Sequence, residues 1–118
     1  MPEQPNNNFK VAVRIRPNLP NDIAKVQYKT PSDHELVVEY PHQGYSHNNR
    51  NRKFNFDNIF QKMTNKDVFE HLVKPQLKGF KEKNKNMTIL TYGITGSGKT
   101  HTIFGEENEE GLAILCFK

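Results

Sequence analysis

The sequence predicts an α/β fold in which an incomplete central sheet is flanked by helices. Three observations carry this expectation. Residues 9–16 set Phe9, Val11, Val13 and Ile15 in alternation with Lys10, Ala12, Arg14 and Arg16. A period of two is the pattern of a strand, and Pro17 ends it. Val68, Phe69, Leu72 and Val73 fall instead on one helical face. Residues 87–92 are a short apolar run of strand length, followed by a Gly-rich loop and a helix start over 98–104.

Between these landmarks the elements follow in order. Residues 1–8 are rich in Pro and Asn and are expected to be disordered. Residues 18–22 are turn-like. Residues 25–30 and 35–40 are two further strand candidates, with Pro31, Ser32 and Asp33 as the turn between them. Residues 41–51 form a polar loop. Residues 52–57 alternate again, with Phe54 and Phe56 on one face, and a helix is expected after them. Thr64 and Asp67 are spaced as a capping box for that helix. Pro75 lacks a backbone donor and should kink or end it. The charged stretch 78–86 reads as a solvated helix end or loop. Residues 106–110 read as an acidic loop. No internal repeat is present.

Composition narrows the class. The 118 residues suit one small domain or a portion of a larger one. Hydrophobic residues make up 34%, enough for a modest core only. The net charge of +4 suits an acidic partner or a polyphosphate, and it lacks the dense basic runs of a nucleic-acid binder. The lone Cys116 allows neither an internal disulfide nor a zinc site. The first residues have no apolar signal core. No apolar stretch reaches the ~20 residues of a membrane span. The expectation is a cytoplasmic protein with no nucleic-acid or membrane partner.

The chemistry sits in residues 93–100, which read GITGSGKT and fit G-x-x-x-x-G-K-S/T. Gly93, Gly96 and Gly98 permit turns closed to other residues. Together with Ile94, Thr95 and Ser97 they can aim backbone N–H groups inward as a nest for phosphate oxygens. The helix expected to start near Gly98 adds its positive end. Lys99 can reach the terminal phosphates as a point charge. Thr100 can place its hydroxyl on a magnesium ion that bridges two phosphates. The loop therefore suits the polyphosphate of a nucleotide with Mg2+. A Gly-rich turn that fits by coincidence is the competing reading, and the strand before the loop and the helix after it weigh against it.

Residues 91–105, TYGITGSGKTHTIFG, resemble the nucleotide loop of kinesins. VAVRIRP at 11–17 resembles the family's first strand with its R-x-R-P hallmark. FNFDNIF at 54–60 resembles the second strand, and TNKDVFE at 64–70 the start of the first large helix. The blocks stand in the family's order and cover nearly all of the chain after Asn8. The resemblance implies that residues 9–118 are the N-terminal portion of a kinesin-like motor domain, with a partial P-loop NTPase fold. It implies movement along microtubules, with tubulin as partner and the cytoskeleton as location. It also implies that Arg14, Arg16 and Pro17 line an adenine pocket and that His101 stacks on the purine from the other side. Taken alone, the two arginines would be an ordinary solvated strand end, and His101 an ordinary helix-surface residue.

The pattern also departs from the family. Ile94 stands where Gln is usual; a β-branched residue there, with THT and the nearby GL, is reminiscent of the central-spindle mitotic kinesins. Residues 78–87 replace the usual Gly-Tyr-Asn segment. In GLAIL at 111–115, Ile114 and Leu115 stand where Pro and Arg are expected. None of Ser32, Ser46 and Ser97 lies in the family's phosphate-sensing Asn-x-x-Ser-Ser-Arg-Ser-His context. None of Asp22, Asp33, Asp57 and Asp67 has Gly three residues later, as Asp-Leu-Ala-Gly requires. No catalytic residue is therefore assigned. Phosphoryl transfer depends on positioning and charge stabilisation, so a phosphate cradle alone should be a very poor ATPase. Three readings follow: a motor-domain fragment, a non-catalytic binding module that keeps the same front half, or an unrelated P-loop enzyme, against which the R-x-R-P and Phe-x-Phe-Asp blocks argue. In the family, strands from later in the chain flank the loop strand, so residues 87–92 should expose unpaired edges. Oligomeric state is not encoded in these residues.

Overall fold

The computed structural model describes residues 9–17, 27–39 and 51–118. The expectations for residues 1–8, 18–22 and 41–50 lie outside these. The chain divides into two compact units, Met1–Gln61 and Lys62–Lys118.

The first unit is built from strands. The alternating segment becomes β1 (Ala12–Ile15). A hairpin follows, β2 (Gln27–Ser32) and β3 (Glu35–Glu39), and β4 (Asn51–Asn55) completes an antiparallel sheet in the order β2-β3-β4. The hairpin turn is Asp33 and His34, and it shares only Asp33 with the turn expected at 31–33. Pro31 stays inside β2 because β2 is an edge strand, where a missing donor leaves no ladder bond unmade. The register slips between Lys29 and Ser32, as a bulge does. The Ser32 hydroxyl accepts the His34 N–H at 3.3 Å and closes the turn.

The helix expected after residue 57 begins only at Asn65, behind its capping box. A fifth strand comes first, β5 (Asn58–Gln61), parallel to β1 with Val13 opposite Ile59 and Arg14 opposite Phe60. Asp57 makes the transfer between sheets. Its N–H donates to the Val11 carbonyl at 2.9 Å, and its Oδ2 accepts the Val11 N–H at 2.7 Å. Just before it, the Phe56 N–H still donates to His34 O at 2.8 Å. One residue thus belongs to the antiparallel sheet and the next to the parallel pair. The rings of Phe54 and Phe56 stack at 6.4 Å, as their shared face implies. Ile59 and Phe60 are the buried apolar residues among those described in this unit. At the far end of β5, Gln61 donates to the Tyr28 hydroxyl at 2.9 Å and accepts from Thr30 at 3.4 Å.

The second unit opens on the capping box. Thr64 and Asp67 form it in full ahead of α1 (Asn65–Val68): the Thr64 hydroxyl accepts the Asp67 N–H at 3.2 Å and the Asp67 carboxylate accepts the Thr64 N–H at 3.0 Å. The helix then widens into a π turn over Phe69–Val73 and continues as α2 (Lys74–Lys83). Pro75 neither ends nor breaks it. The Lys74 N–H reaches back five residues to Phe69 O, so the chain is already widened where the proline ring enters. Pro75 then lies in the first turn of α2, where a missing donor costs little. Asn84 ends α2 in the left-handed conformation, and residues 80–86 are exposed, as a solvated helix end should be.

The Gly-rich loop leads into α3 (Lys99–Ile103). The expected acidic loop is instead a small hairpin, β6 (Gly105–Glu106) and β7 (Glu109–Glu110), and α4 (Leu112–Cys116) follows it. α4 packs on α1, the π turn and α3. The buried apolar residues Val68, Val73 and Leu112 come from these elements. Residues 87–92 join no ladder among the described residues, so the strand expected there is an unpaired segment. Leu90 and Tyr92 are exposed along it. An apolar run becomes a strand only when another strand accepts its N–H groups.

Candidate functional site: a glycine loop and the helix behind it

The loop between residue 92 and α3 owes its shape to a few backbone positions. Gly96 has φ of 82° and Gly98 of 104°, both in the region that disfavours side chains. Gly93 acts differently. Its φ is not positive, but a Cβ there would stand 2.5 Å from Ser97 Oγ. Its contribution is close approach, whereas the sequence suggests a special turn at all three glycines. A turn inside the loop is closed by the Ser97 N–H on Ile94 O at 3.1 Å. Ile94, Thr95 and Gly96 are exposed, while Ser97, Gly98 and Lys99 are half-buried.

Lys99 reaches back across this curve, and its ammonium donates to Gly93 O at 2.6 Å. The positive charge is thereby held against the backbone of its own loop. Thr100 is exposed in the first turn of α3. Behind it, the Thr102 hydroxyl donates to Gly98 O at 2.9 Å and secures the start of the helix. The arrangement has the parts of a phosphate nest: a curved backbone, a lysine drawn into the curve and an accessible threonine hydroxyl at its end. These residues fit a nucleotide polyphosphate with magnesium.

His101 lies on α3 between two carboxylates. Its Nε2 is 3.1 Å from Glu109 and its Nδ1 is 3.4 Å from Glu106, the latter without hydrogen-bond geometry. Of the other site residues, Arg14 lies at mid-strand in β1, and Arg16 and Pro17 follow it, exposed. They belong to the first unit, while the loop and His101 belong to the second.

Sequence reasoning missed Asn65. It is fully buried. Its Nδ2 donates to His101 O at 2.9 Å and to Glu110 O at 3.1 Å, and its N–H donates to Glu109 Oε1 at 2.6 Å. One amide side chain therefore joins α1, α3 and β7. A polar residue between Thr64 and Lys66 in a helix start gives no sign of this. Only burial reveals it, because a buried amide must find partners. Cys116 is the free thiol, and partial burial pushes its pKa up.

The family profile described as Kinesin motor domain matches residues 14–118. Kinesin-like protein KIF18B of Mus musculus is 33% identical over 90% of this chain and 15% of its own length. Kinesin-like protein KIN-14G of Oryza sativa subsp. japonica is 36% identical over 89% of this chain and 14% of its own length. Kinesin-like protein KIF18A of Mus musculus is 46% identical over 57% of this chain and 8% of its own length. The chain thus spans no more than 15% of the length of these relatives. No helix among the described residues is long and apolar enough to cross a membrane.

Proposed function

The chain belongs to the kinesin motor-domain family, and from that premise we propose that it is the nucleotide-binding front portion of a microtubule motor. Residues 93–100 hold the phosphates of ATP, Lys99 neutralises their charge and Thr100 contributes to holding Mg2+. Bound there, Mg2+ would supply charge neutralisation between phosphate oxygens. Arg14, Arg16, Pro17 and His101 are each assigned to adenine contact, because flat cationic and ring surfaces pack well on an aromatic base. In the whole protein the work is ATP-driven movement along microtubules, with tubulin as the partner and the cytoskeleton as the location. A partial P-loop NTPase fold with an incomplete central sheet is part of the same reading.

The observation that carries the reading is the loop itself, with left-handed glycines at 96 and 98 and Lys99 drawn onto Gly93 O at 2.6 Å. Its test is ATP binding by calorimetry in the presence of Mg2+. Lys99→Ala should abolish binding, and unaltered affinity in that variant would sink the assignment.

A second reading is a binding module without turnover. It is favoured by the stretch at 87–92, which pairs with no strand among the described residues. ATP turnover stimulated by microtubules separates the two: present for the motor, absent for the module.

A further inference from the structure

We propose that Glu109, with the charge of Glu106 nearby, is a positioning residue of the nucleotide site: it holds the Nε2 edge of the His101 ring and leaves the ring faces for a purine base. The inference rests on the ATP reading of residues 93–101 above.

Glu109 has two tasks at once. Its Oε1 accepts the Asn65 N–H at 2.6 Å, while its Oε2 lies 3.1 Å from His101 Nε2. Asn65 in turn holds the main chain of the same histidine, through Nδ2 to His101 O at 2.9 Å. Backbone and side chain of His101 are therefore fixed by two residues that are bonded to each other. Glu106, on the neighbouring strand of the hairpin, brings its charge to 3.4 Å from the other ring nitrogen. An imidazole on a short helix otherwise turns broadly about its second side-chain torsion. A ring whose Nε2 is held at Glu109 has less of that freedom, and stacking uses faces rather than edges. Holding the ring in place beforehand removes an ordering cost from binding.

The hairpin geometry explains why the carboxylates reach the ring. Gly105 has φ of 82°, which turns the chain sharply out of α3. The hairpin pairs Gly105 with Glu110 and Glu106 with Glu109, so Glu106 and Glu109 sit opposite each other beside the helix. Among the acidic residues of 106–110, these two are the ones that approach His101. Glu110 pairs with Lys118 instead.

The experiment compares two probes on the full chain with Mg2+: ATP, and inorganic tripolyphosphate, which has phosphates but no base. Glu109→Gln should weaken ATP about three- to fivefold, the range of a partly exposed ion pair, and leave tripolyphosphate unchanged. Glu106→Gln should act in the same direction and less, because its contact is longer. In a His101→Phe background, which keeps a flat ring without nitrogens, Glu109→Gln should leave the ratio of the two affinities unmoved. Equal weakening of both probes by Glu109→Gln would show a merely structural role through Asn65 and overturn the proposal. An unmoved ratio in the single variants would do so as well. Should Glu109→Gln fail to fold, Glu106→Gln decides alone: weaker ATP with unchanged tripolyphosphate supports the proposal, and an unchanged ratio overturns it. A wild-type chain that binds neither probe defeats the ATP reading itself, whereas binding of both with no response to the glutamates defeats only this inference.

Discussion

The two units are held by different kinds of force. In the first, two sheets do most of the work: β2, β3 and β4 pair with one another, β1 pairs with β5, and among the described residues only Ile59 and Phe60 are buried apolar side chains. In the second, short helices and a two-residue hairpin provide few ladder bonds. Stability there comes from close approach: Val68, Val73 and Leu112 in the core, a buried amide at Asn65, and a glycine where backbones nearly touch. A distributed ladder loses one bond at a time, whereas a unit built on a few close contacts should fail at once when one is removed. The same contacts carry the candidate nucleotide site, so damage to them should register in binding as well as in stability.

Gly105→Ala should separate the two units most clearly. A Cβ at this position would run into the backbone of Glu109 and Gly111, and φ is 82° besides. Backbone cannot swing aside as a side chain can. The expected loss is above ~4 kcal/mol, the range reserved for such mechanisms, and the second unit should lose its helical circular dichroism. Amide exchange in β3 and β4 should be far less affected, since local openings follow cooperative units. Equal loss of protection in both units would defeat the contrast.

Asn65→Leu comes next. It removes donors from His101 O and Glu110 O and leaves two carbonyls without that partner. Unsatisfied buried acceptors cost about 1–3 kcal/mol. The loss should appear as faster exchange in α3 and β7 rather than in β1. Asp57→Ala is the counterpart in the first unit. It removes a single bond to the Val11 N–H, near a strand end open to water. About 1 kcal/mol is expected, with exchange at Val11 rising while β2, β3 and β4 keep their protection.

How far each unit was legible in the sequence follows the same division. Ladders leave a period of two, so β1, β2, β3 and β4 could be placed within a few residues. β5 could not, because Ile59 and Phe60 are adjacent and both buried, which breaks the alternation. The capping box and the apolar face of residues 68–73 were legible because both are local in sequence. The π turn at 69–73 was not, since it is an adjustment to Pro75 that many sequences could make or avoid. At residues 87–92 the apolar run was visible, but strand pairing is a property of two segments and no partner is present among the described residues. In the site, the loop motif named its own residues through their spacing. The contacts of Asn65 and Glu109 span 36 and 44 positions, beyond the reach of any local pattern.

The smallest effect expected concerns acid. Asp67 accepts the Thr64 N–H at 3.0 Å and the Thr64 hydroxyl at 2.9 Å. These bonds hold its carboxyl below the ordinary 3.8. A folded-state pKa below the unfolded value means that the folded chain binds the proton less readily. The contribution is therefore fully present above the unfolded value and fades as pH falls through the folded one. The Asp67 contribution to the stability of α1 and α2 should thus be fully present between pH 5 and 7 and should weaken below about 4. Asp67→Asn should flatten that acid response without moving the behaviour of the β2–β3–β4 sheet. The group is solvent-exposed, so salt screens it and the change should be modest. An acid transition that is identical in the variant would place the sensitivity elsewhere, and would remove the capping box from the set of contacts that distinguish the second unit.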